Sequence, residues 1–200
     1  VQNVSVVSKC QGSKILFVLV FPHSSRRYAR RIALGLAASA LGDALLVWPQ
    51  HFVAGMAAFA LAHVCYMSAF RAQAPRRAAA ALLYSGAALY VRALPPPATL
   101  RAPVTLYAAL LAGMTWRALA TLPPPSAPRP ARALAAPAGA LLFLLSDAVL
   151  GYSLFGGPVP HKRALVMSTY YLGQLGLALS ALLPVPRQRS ATADSVSVGD

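Results

Sequence analysis

Two aspartates stand inside long apolar runs of this sequence. The chain has only four acidic residues among its 200, and two of them lie in SALGDALLVW (39–48) and LLFLLSDAVLGY (141–152). An aspartate at the centre of a membrane-spanning helix costs about 2.5–3.5 kcal/mol on insertion scales. A chain that otherwise avoids acids therefore has a reason to keep these two, and Asp43 and Asp147 are the candidate catalytic residues.

Two carboxyl groups held close together are suited to acid–base chemistry. In a low-dielectric helix bundle both cannot easily be ionised, so one remains a proton donor beside an anion. Such a pair would serve cleavage of an acid-labile ether, peptide hydrolysis by an activated water, or proton-coupled transport. None of these needs a metal or a cofactor, and we expect neither, since Cys10 and Cys65 have no metal-ligand or disulfide spacing.

The elements that must position these carboxylates are apolar blocks of membrane-spanning length. The chain is 58% hydrophobic and 11% charged, which is less than half the charged share of about 25% that is usual in soluble domains. Blocks of about 20 residues can cross a hydrocarbon core about 30 Å thick as helices. The sequence thus predicts an all-α, polytopic transmembrane bundle with six clear spans at 32–48, 52–70, 78–94, 100–120, 134–155 and 164–185.

Three regions follow from this division of the chain. Residues 1–31 form an N-terminal segment in which 15–21 predict a short or truncated first span. Residues 32–185 form the transmembrane domain, and residues 186–200 are a polar tail that we expect to be disordered.

The distribution of basic residues predicts the partners and the orientation of the chain. The net charge of +14 sits between the apolar blocks, which favours anionic lipid headgroups over nucleic acid as neighbours. Twelve arginines lie on the side from which the first clear block starts, and four basic residues lie on the other side. The positive-inside rule makes the first side, with the C-terminal tail, cytoplasmic. We expect an endoplasmic reticulum membrane.

Further polar residues inside the blocks could surround the carboxylates. They are His63 and Tyr66, three apart, and Tyr170 and Gln174, four apart, with Tyr171 beside them. The third and fourth blocks are interpreted as scaffold. The runs Gly42–Trp48 and Ser146–Tyr152 share one pattern. Asp43 lies eleven residues after Ile32 and Asp147 ten residues after Pro137, so a parallel internal repeat with both carboxylates at one level is one interpretation. The simpler alternative is that the aspartates and His63 only stabilise helix packing.

In order and spacing, these residues resemble the lysoplasmalogenase family of multi-pass membrane hydrolases. The shared marks are Gly42-Asp43, His63 with Tyr66, Ser146-Asp147, and Thr169-Tyr170-Tyr171 with Gln174. The resemblance implies eight helices, and hydrolysis of the vinyl ether of a lysoplasmalogen to a fatty aldehyde and glycerophosphocholine or glycerophosphoethanolamine. Asp43 and Asp147 would together serve as the catalytic acid and base, with neither role assigned to one of them. His63, Tyr66, Tyr170, Tyr171 and Gln174 would bind the substrate or hold the two carboxylates.

Two other functions use intramembrane aspartates. Intramembrane aspartyl proteases carry Gly-x-Gly-Asp and Tyr-Asp, whereas this chain has Ala40-Leu41-Gly42-Asp43 and Ser146-Asp147, so both motifs are incomplete. A proton-coupled transporter would move a polar solute without changing it covalently.

Overall fold

The structure, a computed structural model, describes residues 15–20, 27–70, 76–94, 96–124, 126–127 and 131–183. Over these residues the chain is helical apart from short connections, in agreement with the predicted all-α class. The polar tail at 186–200 and most of the segment 1–31 lie outside the described residues. The helices are α1 (15–20), α2 (Arg27–Leu45), α3 (Phe52–Ala69), α4 (Arg77–Ala93), α5 (Ala98–Leu119), α6 (Ala131–Phe155) and α7 (Lys162–Leu182), with a 3₁₀ turn at Pro49–His51.

Each of the six predicted blocks coincides with one of the helices α2 to α7. Helices form there because the blocks are long and apolar, while most of the prolines lie in the connections. Two prolines lie inside helices, Pro103 in α5 and Pro137 in α6. By length and composition, three helical segments within the described ranges are apolar enough to cross a membrane, namely Pro49–Ala69, Ala133–Phe155 and Lys162–Leu182. These apolar helices identify a membrane protein.

Five of the helices form a ring, and α4 lies outside it. Helix α2 packs against α3 and α7, α3 continues to α5, α5 to α6, and α6 returns to α7. Helix α4 packs on α5, and none of its residues is buried. The ring therefore has an interior that α2, α3, α5, α6 and α7 all face, with α2 and α6 on non-adjacent positions.

Glycines of α6 and α7 bring the backbones of these two helices close together. A Cβ placed on Gly139 would lie 2.7 Å from the carbonyl oxygen of Gly173, and one placed on Gly176 would lie 2.8 Å from the Cα of Gly139. Only glycine allows backbones to approach this closely, as in other membrane helix pairs. The approach brings the rings of Phe143 and Tyr170 together, with centroids 5.3 Å apart, inside the ring.

Arginines hold the helix ends on the side that the sequence marks as basic. The last carbonyl groups of a helix have no partner within the helix, and a guanidinium can satisfy them. Arg117 donates to the Phe70 carbonyl at 2.7 Å, Arg31 donates to the Ser68 carbonyl, and Arg76 donates to the Leu122 carbonyl at 3.2 Å. The positive charge at this end therefore also stabilises the end of α3 and the connection that follows α5.

Candidate functional site

Polar and aromatic side chains fill the interior of the helix ring. Ser39 from α2, His63 and Tyr66 from α3, and Gln174 from α7 are each 0% exposed. Buried polar groups are stable only when they are paired, and almost all such groups in native proteins have a partner. The hydrogen bonds of these residues therefore show how the site is organised.

Asp43 lies in the last turn of α2 and is held by a tyrosine from α7. The hydroxyl of Tyr170 donates to Asp43 Oδ2 at 2.9 Å, and the aspartate is 8% exposed. The preceding residue, Gly42, is packed against Phe59 of α3, whose Cδ2 would lie 2.6 Å from a Cβ at this position. The absence of a side chain on Gly42 thus lets α3 approach next to the carboxylate.

A line of hydrogen bonds continues behind Tyr170. The amide Nε2 of Gln174 donates to the Tyr170 hydroxyl oxygen at 3.0 Å, and the hydroxyl of Tyr66 donates to Gln174 Oε1 at 3.1 Å. The Tyr66 hydroxyl is also 3.3 Å from Ser39 Oγ. Residues from α2, α3 and α7 are therefore connected in one network that ends on the Asp43 carboxylate.

Asp147 is held in the same way, by a tyrosine from a different helix. The hydroxyl of Tyr107, on α5, donates to Asp147 Oδ2, and the aspartate is half-buried. Asp43 follows the first residue of α2 by sixteen positions, and Asp147 follows the first residue of α6 by the same number. Each aspartate is therefore held by a tyrosine from an adjacent helix of the ring.

His63 lies between the surroundings of the two aspartates. Its ring meets the ring of Tyr107 edge-on with centroids 5.1 Å apart, and the ring of Phe143 with centroids 5.2 Å apart. Phe143 in turn packs against Tyr170. Within the described part of the chain, neither nitrogen of His63 has a hydrogen-bond partner. A fully buried imidazole without a partner is costly, which makes His63 a candidate for a ligand contact.

The structure brings most of the residues singled out in the sequence to one place. Asp43, Tyr66, Tyr170 and Gln174 share hydrogen bonds, and His63 packs next to them. Tyr171 lies at the edge, with its ring tilted against Tyr170 at a centroid distance of 5.4 Å.

Sequence reasoning missed two residues of this site. The interpretation of the fourth block as scaffold is wrong for Tyr107, because its hydroxyl binds Asp147. The available signal was a tyrosine hydroxyl near the middle of an apolar block. Ser39 belongs to the network around Tyr66, but a serine in an alanine-rich helix gives no such signal. Over the described ranges, His, Cys, Asp and Glu side chains do not gather in threes as a metal-binding group.

Comparison with known proteins places residues 4–181 in the YhhN family. Human lysoplasmalogenase TMEM86B is 41% identical over 166 residues, which cover 80% of this chain and 67% of that protein. Human lysoplasmalogenase TMEM86A is 38% identical over 200 residues, covering 90% and 78%. A lysoplasmalogenase of Mycobacterium bovis is 32% identical over 161 residues, covering 74% and 58%. No solved structure matches the chain.

Proposed function

Because this chain belongs to the YhhN family, and its relatives are named lysoplasmalogenases, we propose that it hydrolyses the vinyl ether bond of lysoplasmalogens. The products would be a fatty aldehyde and glycerophosphocholine or glycerophosphoethanolamine. The observation that carries the proposal beyond the names is the placement of Asp43 and Asp147. Both carboxylates face one ring interior, and each accepts a hydrogen bond from a tyrosine of another helix.

The proposed reaction uses the aspartates as a general acid and a general base. An acid protonates the β-carbon of the vinyl ether, which turns the adjacent carbon into an oxocarbenium ion. Water adds to that carbon and the resulting hemiacetal collapses, so one water is consumed and one carbon–oxygen bond is broken. A protonated aspartate supplies the proton, and an ionised aspartate stabilises the cation and accepts the proton of the water.

The remaining residues would bind the substrate or hold the carboxylates in place. His63, Tyr66, Tyr170, Tyr171 and Gln174 are proposed for these roles, since they line the same interior or its edge. Hydrogen bonds to the glycerol portion would orient the vinyl ether toward Asp43 and Asp147. Such positioning contributes to rate by placing the reacting atoms next to the catalytic groups.

We further propose that all six helices α2 to α7 span the membrane and that the C-terminal tail is cytoplasmic, in the endoplasmic reticulum membrane. The apolar helices and the excess of arginine on one side support this arrangement. A site inside the bundle suits a substrate whose hydrocarbon chain already lies in the bilayer.

The test is product analysis with purified protein in detergent micelles. Three lysolipids with the same chain and headgroup are compared, in which the chain is joined by a vinyl ether, an ester or an alkyl ether. We expect aldehyde from the vinyl ether alone. In D₂O the aldehyde should carry one deuterium on the carbon next to the carbonyl group, because the solvent-derived proton is added there. Fatty acid release from the ester, or no aldehyde at all, would contradict the proposal.

A further inference from the structure

We propose that Ser39, Tyr66, Gln174 and Tyr170 form a one-way hydrogen-bond relay that makes Asp43 the ionised member of the pair and leaves the shared proton on Asp147. This inference rests on the proposed function and assigns the two carboxylates their separate roles. It makes Ser39, Tyr66 and Gln174 positioning residues, which act on Asp43 through Tyr170 and do not touch the substrate.

The amide of Gln174 sets the direction of the relay. Its Nε2 donates to the Tyr170 oxygen, so the single hydroxyl proton of Tyr170 is available for Asp43 Oδ2. Its Oε1 accepts the hydroxyl proton of Tyr66. Because Tyr66 has then no further proton to give, Ser39 must be the donor in the contact of 3.3 Å with Tyr66. Every link therefore donates toward Asp43.

Such a relay favours negative charge on the residue at its end. Hydrogen bonds in a line polarise one another in a low-dielectric interior, and a bond to an ionised acceptor is stronger than one between neutral groups. The relay is also shielded, since Ser39, Tyr66 and Gln174 are each 0% exposed. Asp43 is therefore the carboxyl group whose negative charge can stabilise the oxocarbenium ion.

The surroundings of Asp147 differ in this respect. The tyrosine that donates to Asp147 is Tyr107, and the group packed on the ring of Tyr107 is the imidazole of His63. The sequence alone gives no reason for this difference, since Tyr66 follows Asp43 by 23 residues and Tyr170 follows Asp147 by 23 residues. In a symmetric repeat each aspartate would receive an equivalent tyrosine, whereas here both of these tyrosines belong to the Asp43 relay.

The assignment gives a complete proton cycle. Asp147 gives its proton to the β-carbon, and Asp43 stabilises the oxocarbenium ion and takes a proton from the attacking water. In the collapse of the hemiacetal, Asp43 returns this proton to the leaving glycerol oxygen, and the hemiacetal hydroxyl gives its proton to Asp147. Both carboxyl groups then have their original protonation, and no other reactant is needed.

The relay is tested with Ser39→Ala and Gln174→Glu, with Ser85→Ala on the exposed face of α4 as the matched control. Ser39→Ala removes the first donor with little change in volume. Gln174→Glu keeps the size but removes the amide donor to Tyr170. We expect kcat to fall about tenfold or more in each, with KM within about twofold, because an interaction that acts only in the transition state lowers kcat alone. Ser39→Thr should restore most of kcat.

A second readout detects the charge on Asp43 directly. Two inhibitors with the same chain and headgroup are compared, a lysolipid with a protonated amine at the position of the vinyl ether and the neutral alkyl ether. In Ser39→Ala the inhibition constant of the amine should rise about tenfold relative to that of the neutral ether, as expected for a weakened charge-assisted contact.

Three results would overturn the relay. They are a raised KM with unchanged kcat, equal weakening of both inhibitors, and full activity in Ser39→Ala and Gln174→Glu. Each can be told apart from a failure of the proposed function, because in that case the wild-type protein itself would release no aldehyde.

Discussion

Removal of the Tyr107 hydroxyl specifically perturbs Asp147, the proposed general acid, because this hydroxyl binds its carboxyl group. In Tyr107→Phe the ring can keep its contact with His63, whose centroid is 5.1 Å away, while the hydrogen bond to Asp147 Oδ2 is lost. Asp147 becomes negatively charged as it gives its proton to the β-carbon, and a hydrogen bond to a charged group contributes about 1.5–3 kcal/mol. Because this bond stabilises the charge that develops on Asp147 in the transition state, its loss should lower kcat/KM for aldehyde release about 10- to 150-fold, since each 1.36 kcal/mol is a factor of ten.

A double-mutant cycle separates this role from a general loss of packing. In the Asp147→Asn background, Tyr107→Phe should change the residual rate by less than about twofold, because the group on which Tyr107 acts is already disabled. Tyr84→Phe, on the exposed part of α4, is the matched control and should retain full activity. The reasoning would be refuted if the rate loss of the double variant equalled the product of the two single losses. It would also be refuted if Tyr107→Phe released aldehyde at the wild-type rate.

Three further predictions concern packing, binding and orientation. Gly139→Ala should lower the melting temperature in detergent by about 5 °C, for a cost of about 1–3 kcal/mol, because a Cβ there would lie 2.7 Å from the Gly173 carbonyl oxygen. The control Gly86→Ala has open space around the new Cβ and should leave the melting temperature unchanged. Equal melting temperatures for the two variants would contradict the close α6–α7 contact. His63→Phe keeps an aromatic ring but loses both nitrogens, so KM for lysoplasmalogen should rise about tenfold, whereas unchanged kinetics would leave His63 a packing residue. A protease-cleavable tag after the C-terminus should be cut by protease added outside sealed microsomes, because the proposed C-terminus is cytoplasmic. A tag that is cut only after the microsomes are permeabilised would be luminal and would contradict the orientation.

The helices could be predicted from the sequence, but their neighbours in the ring could not. Long apolar blocks separated by prolines and arginines place α2 to α7 within a few residues. Helices in lipid are apolar on all sides, so the sequence pattern does not show which face meets which helix. The position of α4 outside the ring, and the contact of α3 with α5, therefore became apparent only in the structure.

The same limit explains which site residues were found. Aspartates are rare in apolar blocks because their insertion into a membrane costs free energy, so Asp43 and Asp147 can be recognised from the sequence. Tyrosine and serine cost little in such helices, so Tyr107 and Ser39 look like ordinary packing residues until their partners are known. Their roles depend on which helix lies opposite, and that information is held in the three-dimensional arrangement.

The most direct test of the account is the rate of aldehyde release by Asp43→Asn and Asp147→Asn. Both substitutions preserve the volume of the side chain, so binding and folding can be checked by the melting temperature in detergent and by affinity for the alkyl ether lysolipid. We predict that each variant remains folded and binds the lipid, and that kcat falls by about 10²- to 10⁴-fold, as is typical for loss of a general acid or base. A folded variant of either aspartate that releases aldehyde at the wild-type rate would contradict the paired-aspartate mechanism.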